Sequence, residues 1–117
     1  MGLFQGCSDG FWKNHEDLWV GYSPDDIYDE VFGVDFFGVL TLAEVLNTGG
    51  GGIVALGRQS VGALLNASSP DVNYPFTEDE VIALIQGVDP MDAMAVEELK
   101  DLFERFNTLG SPLCEED

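Results

Sequence analysis

Residues Ile53 to Ala67 constrain this chain more than any other stretch. Across that span only Arg58, Gln59, Ser60 and Asn66 are clearly polar. A helix that is apolar nearly all the way round has no face to give to water, so it must run through the middle of a fold. Its small residues Ala55, Gly57, Gly62 and Ala63 let neighbouring elements come close. The four glycines Gly49 to Gly52 break the chain just before it. The rest of the sequence must therefore wrap around this one segment. The predicted fold is a compact all-α single domain of five or six short helices around a central apolar helix.

The surrounding helices announce their starts. Thr41-Leu42-Ala43-Glu44 and Thr77-Glu78-Asp79-Glu80 are capping boxes, in which Thr and Glu satisfy each other's backbone N–H groups. Ser23-Pro24-Asp25-Asp26 predicts a helix start with Ser as cap and Pro at the first position. Asp89-Pro90 predicts a last helix running to Asn107. In it Ala95, Leu99, Leu102, Phe103 and Phe106 form one apolar stripe. Its opposite face offers the pairs Lys100–Glu104 and Asp101–Arg105 at i,i+4 spacing. No segment reads as a strand. Residues 1–6 read as an N-terminal tail and 7–117 as the domain.

The charge balance excludes whole classes of function. Twenty-two acidic residues face 4 basic ones, a formal net charge of −18. Nucleic-acid binding needs clustered Lys and Arg, and none exists. Anionic membrane surfaces are repelled, and no apolar run reaches the about 20 residues of a membrane span, which argues against membrane insertion. Such a surface attracts cations; salt tolerance is the plainer account of the same composition. No secretory leader is visible, and a processed chain reads the same way.

The scarce chemistry gathers in Gly6-Cys7-Ser8-Asp9-Gly10-Phe11-Trp12-Lys13-Asn14-His15. As an enzyme, Cys7 would be the nucleophile and His15 the base, with Asn14 or Asp17 orienting it. The structural account has Phe11, Trp12 and Trp19 packing while Lys13, Asn14 and His15 bind backbone carbonyls. Trp12 and Trp19 are seven residues apart, which fits one helical face and favours the structural account. Cys7 and Cys114, at opposite ends, are either free thiols or one disulfide. Their Gly- and Pro-flanked settings suit a bridge better than a core position. A bridge would close nearly the whole chain into one loop and stabilise it by about 4–5 kcal/mol. No Cys/His spacing for zinc is present.

Hard oxygen ligands at loops suit calcium. The candidates are Asp25, Asp26 and Asp29 around the predicted second helix, and Asp71, Asn73 and Asp79 around a Pro-containing loop. Neither set matches an EF-hand, and helix-dipole stabilisation accounts for each cluster singly. The glycine run lacks the spacing and the Lys of a phosphate loop. Asn66-Ala67-Ser68 fits a glycosylation sequon at a predicted helix end. Arg58 is expected to form a structural ion pair, with Glu44 as the candidate partner.

The run Cys7-x-x-Gly10-Phe11-Trp12-Lys13-Asn14-His15, followed by Trp19, resembles the "GxWKNH" domain of secreted microbial proteins. The likeness continues through Thr41-Leu42, the glycine run, Arg58 to Ala67, Tyr74-Pro75, Thr77 to Ile82, Leu99-Lys100 and Asn107 to Cys114. The resemblance implies an extracellular, non-enzymatic domain and supports the Cys7–Cys114 bridge. It implies a building block of calcium-stabilised extracellular fibres, and no catalytic residues. The expected function is a secreted, self-assembling structural subunit of a filament or surface layer, with calcium as its ion. The alternative is a monomeric secreted binding or adhesion module.

Overall fold

A computed structural model describes residues 3–115. Six α-helices occur among them: α1 (Asp9–Asn14), α2 (Tyr28–Phe32), α3 (Leu42–Leu46), α4 (Ile53–Ser68), α5 (Glu78–Gln86) and α6 (Ala93–Asn107). A 3-10 turn, Glu16–Leu18, follows α1. The described residues hold no strand, only two isolated bridges, Gly6 with Gly110 and Ile27 with Thr41.

The apolar segment is α4, and it occupies the centre. It packs against α1, α3, α5 and α6. Ala55 to Gly57 and Ser60 to Asn66 are buried. Gly57 shows why small residues were needed: a Cβ there would meet the Phe37 ring at 2.7 Å and Val45 at 2.9 Å. Around α4 the core gathers Trp12, Tyr28, Phe32, Leu42, Val45, Val81, Ile85 and Phe103, all fully buried. Both capping boxes form, on α3 from Thr41 and Glu44 and on α5 from Thr77 and Glu80.

Two helix starts fall later than the sequence signals place them. Ser23-Pro24-Asp25-Asp26 is a turn: the Asp26 carboxylate accepts the Ser23 N–H at 2.8 Å and Ser23 Oγ accepts the Asp25 N–H at 3.2 Å. Helix α2 begins only at Tyr28. Asp89-Pro90 likewise makes a turn, with Asp89 Oδ1 accepting the Met91 N–H, and Asp92 is the true cap of α6. Trp19 is not on the helix of Trp12. The chain leaves α1 at His15, so the seven-residue spacing crosses an element boundary.

On α6 the buried face is Val96, Phe103 and Asn107. Leu99 and Leu102, expected in the core stripe, are only half-buried. Lys100 sits among Asp101 at 2.8 Å, Glu97 at 2.9 Å and Glu104 at 3.8 Å. Asp101 thus takes Lys100 rather than Arg105 as its partner among the described residues.

Candidate functional site

The Gly6–His15 segment is built into the fold as a clasp. Ser8 caps α1 by accepting the Phe11 N–H at 3.1 Å. This short helix turns Phe11 and Trp12 inward, where both are buried. Opposite them stands Asn66, fully buried on α4. Its Oδ1 accepts the Cys7 N–H at 2.8 Å and the Trp12 indole N–H at 3.1 Å. Its Nδ2 donates to the Cys7 carbonyl at 2.8 Å and to Asn107 Oδ1 at 3.1 Å. Asn107 in turn accepts the Tyr74 hydroxyl at 2.6 Å and donates to Gln59 Oε1 at 2.9 Å. One buried network therefore joins the N-terminal segment, α4, the loop before α5 and the end of α6.

Asn66 cannot serve as an exposed glycan acceptor in this fold, because its amide is wholly used inside the core. The sequon is a chance match to a structural residue. A signal was available. A polar residue in a helix otherwise buried must have its hydrogen bonds met from within.

The two cysteines complete the clasp. Cys7 and Cys114 form a disulfide with Cα atoms 5.9 Å apart. Cys7 is 1% exposed and holds no thiol, so it is no nucleophile. Gly6 lies hard against the end of α6; a Cβ on it would come within 1.9 Å of the Phe106 carbonyl oxygen. Gln5 N–H donates to the Asn73 carbonyl at 2.8 Å, and Ser111 Oγ donates to Gln5 Oε1 at 3.3 Å. The expected tail, residues 1–6, is thus fastened at Gln5 and Gly6. Leu3 and Phe4 remain 88% and 60% exposed. Met1 and Gly2 lie outside the described residues.

The remaining motif side chains divide. His15 Nδ1 donates to the Phe11 carbonyl at 2.9 Å, and its ring stacks on Phe11 at 4.4 Å. Trp19 Nε1–H donates to the Trp12 carbonyl at 2.9 Å. Lys13 and Asn14, expected to bind backbone carbonyls, are instead exposed. They lie on the outer face of α1, whose inner face is filled by the aromatics. A groove of about 540 Å³ runs beside this face, lined by Ser8, Phe11, Asn14, His15, Asn107 and Thr108 among others. Arg58 does not use Glu44, which is committed to its capping box. It donates to the Thr48 and Gly50 carbonyls at 3.2 and 2.7 Å and stands 4.0 Å from Asp9.

The six candidate calcium ligands are not drawn together within one chain. Among the described residues no three His, Cys, Asp or Glu side chains stand close enough to hold a metal. Asp29 does a different job: its carboxylate accepts the N–H groups of Phe36, Phe37 and Gly38 at 2.8–3.1 Å. Asp26 is occupied by Ser23. Asn73 Nδ2 donates to the Leu3 carbonyl at 3.1 Å. Asp25, Asp71 and Asp79 are exposed.

Three phenols and one ammonium are held off their ordinary ranges. Burial pushes Tyr22 upward, reinforced by its hydrogen bond to Glu78 at 2.8 Å. Burial does the same to Tyr28 and Tyr74. Asp101 and Glu97 hold the half-buried Lys100 protonated above the usual lysine range.

In comparisons with known proteins, no family model, curated protein or solved structure matches this chain. No helix among the described residues is long and apolar enough to cross a membrane. The fold and site define a small disulfide-closed helical domain.

Proposed function

We propose that the chain is a non-enzymatic extracellular structural subunit that assembles with copies of itself into a filament or surface layer. The observation that carries this reading is the exposed pair Leu3–Phe4, fastened at Gln5 and Gly6 on a body of net charge −18. An apolar segment held out in water by a disulfide-closed domain is a contact in search of a partner. The disulfide suits an oxidising compartment. The resemblance of Cys7 to His15 to the GxWKNH domain supports the extracellular setting.

Copies of such charge come together only if the charge is neutralised. Calcium shared between neighbouring subunits would do this, with the exposed carboxylates of Asp25, Asp71 and Asp79 as candidate bridging groups. Calcium is then a property of the assembly. The test is assembly at low salt with calcium, followed by a chelator. Fibres or layers should form and then dissolve; assemblies unchanged by chelation would overturn the calcium bridge. A chain monomeric by size-exclusion chromatography under all conditions would overturn the subunit reading. It would favour a monomeric binding or adhesion module, for which the groove beside α1 is the candidate surface.

A further inference from the structure

We infer that the groove between α5 and α6 is the seat for Leu3 and Phe4 of a second copy of this chain, an inference that rests on the self-assembly reading. Helices α5 and α6 each pack on α4 but not closely on one another. The gap they leave is a groove of about 490 Å³, walled by Ala83, Leu84 and Val88 on one side and Ala95, Leu99 and Leu102 on the other. On α6 it is made from the part of the stripe that the core covers only partly. Val96 and Phe103 turn inward, while Leu99 and Leu102 stay half-covered. Outside the lining, Met91 in the turn before α6 and Met94 in its first turn are 89% and 72% exposed. Unbranched methionines adapt readily to an incoming side chain. Glu98 is the one charged residue lining the groove.

The occupant follows from charge and exposure. Residues 3–8 carry no charged side chain in a chain of −18, so this segment approaches an acidic body without charge repulsion of its own, and its Leu3 and Phe4 are 88% and 60% exposed. In the structure its own groove does not take it: both side chains stay in water, and the Leu3 carbonyl is held by Asn73 Nδ2 at 3.1 Å. Gly6 abuts Phe106 and Asn107 at the C-terminal end of α6, whereas the groove takes Ala95, Leu99 and Leu102 from nearer its N-terminus. Donor and acceptor are therefore separate surfaces of one chain. A contact between two copies leaves one free groove and one free tail, and the chain of contacts propagates.

The experiment uses the full chain in calcium-containing buffer. A Leu3→Ser/Phe4→Ser variant removes the donor. Ala83→Gln obstructs the acceptor without changing charge, on an exposed position. Each variant alone should associate at least about tenfold more weakly than the wild type. An equimolar mixture should form heterodimers that grow no further, because only one intact tail and one intact groove can meet. A synthetic Gly-Leu-Phe-Gln-Gly peptide, titrated into the Leu3→Ser/Phe4→Ser chain, should shift the amide signals of Ala83, Leu84, Leu99 and Leu102; this readout does not depend on the groove variant folding. Wild-type assembly with unimpaired variants, or a peptide that leaves those signals still, overturns this seat alone. A wild-type chain that never assembles overturns the subunit reading and the seat together.

Discussion

Asn66 concentrates more structural consequence than any other side chain. An amide offers two donors and two acceptor positions, and all four are used, toward Cys7 twice, Trp12 and Asn107. Asn66→Ala would leave the Cys7 N–H, the Cys7 carbonyl and the Trp12 indole N–H without this partner inside the core. Each orphaned buried group costs about 1–3 kcal/mol, so a loss of about 3–5 kcal/mol is expected by urea denaturation. A loss below about 1 kcal/mol would mean that water replaces the amide and that the clasp is held by the disulfide. The sequence exposed the oddity of Asn66, a polar residue in an apolar helix, but not its role. Its partners lie 59, 54 and 41 residues away, and no local pattern links positions that distant. The nearer signal, the sequon, is a chance match on a residue that is fully buried.

At the scale of elements, legibility followed the locality of the interaction. Both Thr–Glu capping boxes are closed within four residues, and both form where the sequence places them. The central helix was legible because its composition leaves it nowhere else to go. The Pro-containing starts failed for an equally local reason. Ser or Asp followed by Pro favours a helix cap and a β-turn alike, and at Ser23 and Asp89 the turn forms first. Each turn closes through an i+3 backbone bond, Asp26 N–H to Ser23 and Asp92 N–H to Asp89. Thr77→Ala should cost about 1 kcal/mol, as for other N-caps, read by chemical denaturation. Asp29 is the other element-scale hinge of the design. Its carboxylate gathers three successive N–H groups and so fixes the loop that delivers Phe37 onto Gly57. Asp29→Ala should cost about 1.5–3 kcal/mol, the range for hydrogen bonds to a charged group. Amide exchange at Phe36, Phe37 and Gly38 should accelerate before the rest of the molecule; unchanged protection there would show that Phe37 packing alone holds the loop.

For the molecule as a whole, the two chain ends and the buried phenols set the limits of stability. The Cys7–Cys114 bridge spans 107 residues, and the loop-entropy model assigns such a closure about 4–5 kcal/mol. Reduction should lower the urea midpoint accordingly, with the helical signal retained below the new midpoint. Alkaline pH attacks through Tyr28 and Tyr74. Tyr28 is fully buried with its hydroxyl 2.7 Å from Ser60 Oγ, and Tyr74 donates to Asn107 at 2.6 Å. Burial holds both phenols above their ordinary 10.0. In the unfolded chain they ionise near that value, so above it the unfolded state binds fewer protons than the folded one. Stability then falls as pH rises. Their contribution is fully present below about pH 10 and is lost on the way up to the folded-state value, at a limiting slope of about 1.4 kcal/mol per tyrosine per pH unit. Lys100, protonated in the folded surface by Asp101 and Glu97, adds a contribution of the same sign. Urea melts from about pH 8 to pH 11 should show flat stability first and then a decline. Tyrosinate absorbance should rise together with loss of helical ellipticity. Tyr28→Phe removes one ionisable phenol, so its stability curve should decline less steeply than the wild type's. Tyrosinate appearing near pH 10 in a fully helical Tyr22→Phe variant, which removes the half-buried third phenol, would mean that Tyr28 and Tyr74 reach water without unfolding, and that the Asn66–Asn107–Tyr74 network opens locally.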